Sequence, residues 1–137
     1  MVRFALAIAV LLSSTAAAMA QSDVVEAGAA LFQRRCQVCH AIGEGAANKV
    51  GPSLNGVVDA PVASVLDYPY SAVLQNACAT GRVWTVDELR RFMRSPRKMF
   101  PGTKMAFAGQ RDPVDLDNLV AYLQSFGPDG IQAAPSR

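Results

Sequence analysis

Two cysteines and a histidine stand close together in the first third of the chain. Residues 36–40 are Cys-Gln-Val-Cys-His, and His40 is the one histidine among the 137 residues. Cys-x-x-Cys-His is the attachment motif of c-type haem. Two intervening residues let both thiols reach the two vinyl groups of the porphyrin from one helical turn, and the imidazole can then face the iron. The motif predicts haem bound covalently through Cys36 and Cys39, with His40 as an axial ligand.

A Cys-x-x-Cys pair can also serve as a redox-active dithiol. That chemistry needs a thioredoxin-like βαβ context, and no part of this sequence has the pattern of a strand ladder. In an oxidising compartment, the two thiols would form a disulfide if no haem were attached. A visible absorption spectrum separates the haem hypothesis from both alternatives.

The N-terminus has the three parts of a secretory signal peptide. Arg3 makes its start positive, residues 4–12 are apolar, and residues 18–20 are Ala-Met-Ala, a small-residue cleavage site. The apolar run is shorter than the about 20 residues that span a bilayer. We predict cleavage of residues 1–20 and export to the periplasm, the side of the membrane on which c-type haem is attached. The alternatives are an uncleaved amphipathic start and a retained membrane anchor.

The charge balance argues against a polyanionic partner. The chain carries 13 Lys and Arg against 11 Asp and Glu, and cleavage removes Arg3 alone. A nearly neutral mature chain is not expected to bind nucleic acid. Its length suits one domain with a modest core, to which an apolar porphyrin would contribute. We assign that domain to residues 21–130 and a flexible tail to residues 131–137.

Two segments before residue 100 have the apolar spacing of amphipathic helices. The first begins at Asp23 and runs into Cys36. The second begins at Thr85, where Glu88 completes a capping box. Pro96 ends it, since proline disrupts a helix interior. The first helix would therefore deliver the haem-binding motif at its C-terminal end.

A third helix is predicted near the C-terminus. Asp112 is its N-cap, Pro113 lies in its first turn, and Gly127 ends it. A short helix is predicted over residues 71–78. Segment 43–69 is rich in glycine and proline, as expected of a chain that wraps a cofactor. The fold class is therefore all-α, with three main helices, one short helix and long loops around one haem.

An iron bound by one histidine needs a second axial ligand or keeps an open position. Two of the five methionines fall within the signal peptide. Met93 lies on the apolar stripe of a helix, where methionine usually fills the core, and Met99 lies among basic residues. Met105 ends the loop sequence Pro-Gly-Thr-Lys-Met. We therefore take the Met105 thioether as the candidate sixth ligand.

The chain resembles class I c-type cytochromes, close to mitochondrial cytochrome c and bacterial cytochrome c2. The resemblance covers about residues 27–126, nearly the whole mature domain. Its most specific segment is 101–109, Pro-Gly-Thr-Lys-Met-Ala-Phe-Ala-Gly. The other matching segments are 36–40, 49–54, 82–85, 95–100 and 119–123.

The resemblance implies roles for the residues that match the family pattern. Cys36 and Cys39 would form the thioether links, and His40 and Met105 would be the axial ligands. The carbonyl of Pro52 would accept a hydrogen bond from the other ring nitrogen of His40 and fix the orientation of the imidazole.

The resemblance also implies contacts farther from the iron. Tyr70 and Trp84 would donate hydrogen bonds to a haem propionate. The first and last helices would cross closely at four residues: Gly28, Phe32, Leu119 and Tyr122. The sequence departs from the family at Phe92, where a tyrosine commonly bonds the methionine sulfur. It also departs in segment 57–62, which lacks the usual basic residue near a propionate.

A His/Met iron is six-coordinate, which leaves no position for a substrate. We therefore expect an electron carrier and not an enzyme. The resemblance implies a monomer that shuttles electrons from a bc1-type complex to a terminal oxidase or photosynthetic reaction centre. A peroxidase-like or ligand-binding haem protein with a labile Met105 is the alternative. Seven basic residues are expected to form the docking face for acidic partner surfaces: Arg34, Arg35, Lys49, Arg82, Arg97, Lys98 and Lys104.

Overall fold

The computed structural model of this chain describes residues 20–134. Within that range the chain forms five helices: α1 over residues 20–35, α2 (Ala72–Ala79), α3 (Val86–Arg94), α4 (Pro96–Met99) and α5 (Pro113–Gln124). Strand pairing in the same range is limited to two isolated antiparallel bridges, Pro61 with Val83 and Phe126 with Gln132. The prediction of an all-α fold with long loops is confirmed.

Side chains cap two of the helices where the sequence predicts a start. The Thr85 hydroxyl accepts a hydrogen bond from the Glu88 backbone N–H at 3.2 Å. The Asp112 carboxylate accepts two hydrogen bonds, from the backbone N–H groups of Val114 and Asp115, at 2.8 and 3.1 Å. These bonds satisfy donors that an isolated helix end leaves unpaired, which is why both starts are predictable from local sequence.

The predicted start of α1 at Asp23 is wrong. The chain is already helical at Ala20, so Asp23 lies inside the helix and does not cap it. Alanine and glutamine are good helix formers, and Ala20 and Gln21 continue the helix on the N-terminal side of Asp23. Residues 1–19, which include most of the predicted signal peptide, lie outside the described range. Within that range, no helix is long and apolar enough to cross a membrane.

Two other helix boundaries differ from the sequence prediction. Pro96 ends α3 as expected, but it also opens α4, since proline suits the first turn of a helix. Helix α5 ends at Gln124, earlier than the predicted Gly127. Ser125 takes the C-cap position, and its hydroxyl donates a hydrogen bond to the Tyr122 carbonyl oxygen at 2.7 Å.

Helices α1 and α5 cross at the contact that the sequence analysis expects. A Cβ atom added to Gly28 would lie 2.0 Å from the backbone oxygen of Asn118, so the two backbones approach too closely for any side chain. The rings of Phe32 and Tyr122 pack beside this contact with centroids 5.4 Å apart. Leu119 is buried in the same core. The crossing fixes the direction of α1, and therefore the position of the Cys-x-x-Cys-His motif at its end.

The first residues of the predicted tail hydrogen-bond to the end of α5. The Gly127 N–H donates to the Ile131 carbonyl oxygen at 3.1 Å, and the Ala133 N–H donates to the Ser125 carbonyl oxygen at 2.7 Å. This pairing differs from the free tail expected for residues 131–137. The domain boundary at residue 130 stays a prediction.

Candidate functional site

A cavity of about 360 Å³ opens between the end of α1, the long loops and the helices α3 and α5. Its walls are mostly apolar side chains, among them Phe32, Leu74, Leu89 and Leu123. The seven residues predicted to bind the cofactor all line it: Cys36, Cys39, His40, Pro52, Tyr70, Trp84 and Met105. The fold thus brings together residues that lie far apart in the sequence.

The imidazole of His40 has one nitrogen fixed by the backbone. Its Nδ1 donates a hydrogen bond to the Pro52 carbonyl oxygen at 2.8 Å, the contact expected from the sequence. A carbonyl only accepts, so the proton sits on Nδ1 and the lone pair is on Nε2. Burial lowers the pKa of His40, the Pro52 bond opposes that shift, and the charge of Lys49 adds to it. A neutral ring with a free Nε2 lone pair is the form that binds a metal.

Gly51 controls the position of the His40 ring, and the sequence analysis did not single it out. A Cβ atom added to Gly51 would lie 2.3 Å from the His40 Cε1 atom and 2.7 Å from its Nε2 atom. The Gly51 N–H donates to the Cys39 carbonyl oxygen at 2.7 Å, which ties this loop to the motif. The glycine directly before Pro52 was the available sequence signal, but its purpose depends on a ring eleven residues earlier.

The two cysteines lie on one turn that continues from α1. The N–H groups of Cys39 and His40 both donate to the Cys36 carbonyl oxygen, at 3.0 and 2.9 Å. Both thiols are half-buried and unbridged. Burial raises the pKa of Cys36 to about 11, with Arg35 opposing the shift and Cys39 adding to it. Catalytic dithiols depend on a lowered thiol pKa, so the raised value argues against the thiol oxidoreductase alternative.

Met105 lies in the loop between α4 and α5 and is half-buried. Its backbone N–H donates to the Thr103 hydroxyl oxygen at 3.3 Å. Met93 also lines the cavity, but it is 7% exposed and packs in the core on α3. Met99 does not line the cavity. The structure therefore presents Met105 as a loop thioether at the cavity and Met93 as part of its apolar wall.

Tyr70 and Trp84, the two residues expected to bond a propionate, both line the cavity. Burial raises the pKa of the Tyr70 phenol, and a hydrogen bond with the Val65 backbone opposes the shift. Ser71, next to Tyr70, is 4% exposed, and its hydroxyl has no hydrogen-bond partner within residues 20–134. Leaving a buried hydroxyl unpaired costs about 1–3 kcal/mol. Ser71 itself does not line the cavity.

These features fit a porphyrin. The apolar walls match the macrocycle, the two thiols on one turn match its vinyl groups, and the free Nε2 of His40 matches its iron. Tyr70 and Trp84 line the cavity, and both side chains carry a group that can donate a hydrogen bond to an acidic substituent. Within the described residues, no group of three or more His, Cys, Asp or Glu side chains could hold a metal ion by itself.

Comparison with known proteins identifies the family. The cytochrome c family profile matches residues 25–127. A cytochrome c2 from Agrobacterium tumefaciens (strain II Chrys) is 50% identical over 103 residues, covering 75% of this chain and 91% of the relative. A cytochrome c-550 from Ancylobacter novellus is 44% identical over 105 residues, covering 77% of this chain and 97% of the relative.

A solved structure agrees with the sequence comparisons. The cytochrome c2 from Rhodospirillum centenum superimposes with a TM-score of 0.70 at 31% identity, covering 76% of this chain and 98% of that chain. Fold, cavity and relatives lead to the same conclusion. This chain belongs to the cytochrome c family: it is an electron-transfer protein and not an enzyme, and it binds haem c covalently through Cys36 and Cys39.

Proposed function

We propose that this chain shuttles single electrons in the periplasm, from a bc1-type complex to a terminal oxidase or photosynthetic reaction centre. The observation that carries the proposal is one apolar cavity lined by both cysteines, His40 and Met105. The bound haem supplies a one-electron Fe(III)/Fe(II) couple. The similarity to proteins named cytochrome c2 and cytochrome c-550 supports the carrier role, and the signal-peptide pattern of residues 1–20 supports the location.

Two side chains at the cavity would hold the iron of the haem in this proposal. His40 would bind it through Nε2, since Pro52 bonds the other ring nitrogen and Gly51 leaves room for the ring. Met105 would supply the second ligand through its thioether. Methionine ligation raises the reduction potential, and a filled sixth position excludes substrate. The alternative of a ligand-binding haem protein requires Met105 to dissociate readily.

The cavity walls keep the site dry and its polar groups fixed. Leu74, Leu89, Leu119 and Leu123 line the cavity and are almost fully buried. A dry, rigid surrounding contains little that must rearrange when the charge on the iron changes, which suits fast electron transfer. Tyr70 and Trp84 would donate hydrogen bonds to the propionates, as the family resemblance implies.

Replacement of Phe92 by Tyr is expected to raise the reduction potential by about 20–65 mV. Phe92 is 8% exposed and lines the cavity. A hydroxyl there would donate to the Met105 sulfur and reduce its electron donation to Fe(III). A hydrogen bond contributes about 0.5–1.5 kcal/mol net. If it stabilises mainly the reduced state of the iron, the potential shifts by this amount. Spectroelectrochemical titration measures it.

A control for this change is Phe126→Tyr. Phe126 is half-buried, with its ring centroid 5.2 Å from that of Tyr122, and it does not line the cavity. The Phe126→Tyr variant gains a hydroxyl outside the cavity lining, so its potential should stay near that of the unaltered protein. Equal potentials for the Phe92→Tyr variant and the unaltered protein would show that the hydroxyl does not reach the sulfur.

We leave Arg82 out of the proposed docking face. The Arg82 Nε donates to the Glu88 carboxylate at 2.7 Å, so part of its charge is offset locally. The other six predicted docking cations form no ion pair within residues 20–134. Lys49 and Lys104 donate to the carbonyl oxygens of Gln37 and Pro69, respectively, and keep their net charge. We therefore assign docking to these six: Arg34, Arg35, Lys49, Arg97, Lys98 and Lys104.

Replacement of Lys98 by Gln should slow electron transfer with a purified bc1 complex and flatten its dependence on salt. Lys98 is an exposed residue of helix α4, and its charge would steer association with an acidic partner. We expect a severalfold lower rate at low ionic strength, with the difference vanishing at high salt because screening removes the steering. Stopped-flow kinetics over a salt series measure both effects.

Arg90→Gln is the control of equal charge change. Arg90 is paired with Asp87 at 3.2 Å and with Asp117 at 2.7 Å, so its charge contributes little beyond its own neighbourhood. Its replacement should leave the rate within about a factor of two. Rates that are independent of salt in the unaltered protein would contradict the electrostatic docking proposal.

A further inference from the structure

The guanidinium group of Arg82 lies on the face of the Phe100 ring. The Arg82 Cζ atom is 4.8 Å from the ring centroid, within the range of a cation–π contact. Arg82 stands between α2 and α3, whereas Phe100 directly follows α4. The contact therefore joins two segments that the backbone does not connect locally.

Glu88 fixes the guanidinium in this position. Its carboxylate binds Arg82 at 2.7 Å and Arg91 at 3.1 Å, and its side chain is 17% exposed. The backbone N–H of Glu88 donates to the Thr85 hydroxyl, so Glu88 belongs to the capped first turn of α3. A planar guanidinium bonded along one edge keeps its face free to stack on a ring.

Phe100 connects this pair to the cavity and to the loop of Met105. Its ring packs edge-on against Trp84 and Phe92, with centroids 6.1 and 5.8 Å apart, and both of those residues line the cavity. Its carbonyl oxygen accepts a hydrogen bond from the Thr103 N–H at 3.0 Å. The Thr103 hydroxyl in turn accepts one from the Met105 N–H at 3.3 Å.

We propose that Arg82 is a positioning residue for Met105: fixed by Glu88, it holds the Phe100 ring and with it the start of the loop that carries the thioether. This inference rests on the proposed function in taking Met105 as an axial ligand. In this proposal, Arg82 holds the Phe100 ring and is not a docking residue. Arg82 would contribute the energy of one partly exposed cation–π contact. Losing it should shift the equilibrium between bound and dissociated Met105 about fivefold.

The test compares Arg82→Met with Arg91→Gln in the haem-loaded protein. Arg82→Met keeps an apolar stem over the ring but removes the guanidinium. Arg91→Gln removes the other cation bound to Glu88 without touching Phe100. Imidazole titration of the oxidised protein reports how readily Met105 leaves the iron. Amide hydrogen exchange of Thr103 in the reduced protein reports opening of the loop, and the Ser125 amide at the end of α5 reports general destabilisation.

Arg82→Met should raise the apparent affinity for imidazole about fivefold. It should also speed hydrogen exchange of the Thr103 amide about fivefold relative to the Ser125 amide. In Arg91→Gln, both quantities should stay within about twofold of the unaltered protein. Phe100→Leu should have a similar effect, and adding Arg82→Met to it should change little more, since the contact is already lost. If the unaltered oxidised protein lacks the weak near-red Met–iron absorption band, the ligand assignment fails. If the band is present but Arg82→Met leaves imidazole affinity unchanged, or accelerates Thr103 and Ser125 equally, the positioning role is wrong while the proposed function stands.

Discussion

The Met105→Leu variant is expected to lose the weak near-red absorption band of the oxidised protein and to bind carbon monoxide when reduced. Leucine matches the volume of methionine, and such exchanges usually cost less than about 1.5 kcal/mol, so the fold should survive. The thioether, however, is the only donor atom of the Met105 side chain. Its loss would leave the position opposite His40 open or weakly occupied, which is the condition for binding external ligands.

The same variant should have a lower reduction potential. Methionine ligation raises the potential of a haem, and axial ligands set haem potentials over a range of about 0.8 V. We expect Met105→Leu to lower the midpoint by about 100 mV or more, well beyond the shift expected for Phe92→Tyr. Spectroelectrochemical titration of both variants on one scale makes the comparison direct.

Met99→Leu is the control for Met105→Leu, because it makes the same replacement of a methionine by leucine at another position. Met99 ends α4 and is half-buried against the core, but it does not line the cavity. Its replacement should leave the band, the potential and the inertness to carbon monoxide unchanged. Met93→Leu is the sharper comparison, since Met93 does line the cavity. Loss of the band in Met93→Leu, with its retention in Met105→Leu, would exchange the assignments of the two methionines.

Local sequence predicted the parts of the fold that depend on local contacts. Thr85 and Asp112 cap helices through bonds to residues two or three positions later, and such bonds are specified by the short motif itself. The motif of residues 36–40 is equally local, because one turn places both thiols and the histidine. These elements could be predicted before any tertiary contact was known.

Contacts between distant segments were not predictable in the same way. The clearance between Gly51 and the His40 ring depends on how the loop folds back on α1, and a glycine before a proline gives no sign of it. The charge of Arg82 could be counted from the sequence, but its pairing with Glu88 and its place on Phe100 depend on three segments meeting. The family resemblance includes segments 49–54 and 82–85, but it gave no role to Gly51 or Arg82.

Gly28→Ala is expected to destabilise the protein by about 3 kcal/mol, the upper end of the usual cost of overpacking. The added Cβ would lie 2.0 Å from the Asn118 backbone oxygen and 2.7 Å from the Tyr122 Cβ atom. Asn118 lies within α5 (Pro113–Gln124), so its carbonyl cannot turn aside without breaking a helix. Relief therefore requires α1 and α5 to separate. Denaturant unfolding of the oxidised, haem-loaded protein measures the loss.

Helix propensity and the clash at Gly28 have opposite effects on the free energy of unfolding, so the sign of the measured change shows which is larger. In a helix free of tertiary contacts, replacing glycine by alanine stabilises by about 1 kcal/mol, so the clash must exceed that gain before any destabilisation is seen. Ala29→Gly, at the neighbouring half-buried position of α1, gives the scale of the propensity effect and should cost about 1 kcal/mol. A Gly28→Ala variant that unfolds at the same or a higher denaturant concentration would mean that the two helices do not touch at Gly28.

The separation of α1 from α5 would also shift residues 36–40, because the motif continues directly from the end of α1. We therefore expect Gly28→Ala to weaken the near-red band before global unfolding, a coupling that Ala29→Gly should lack.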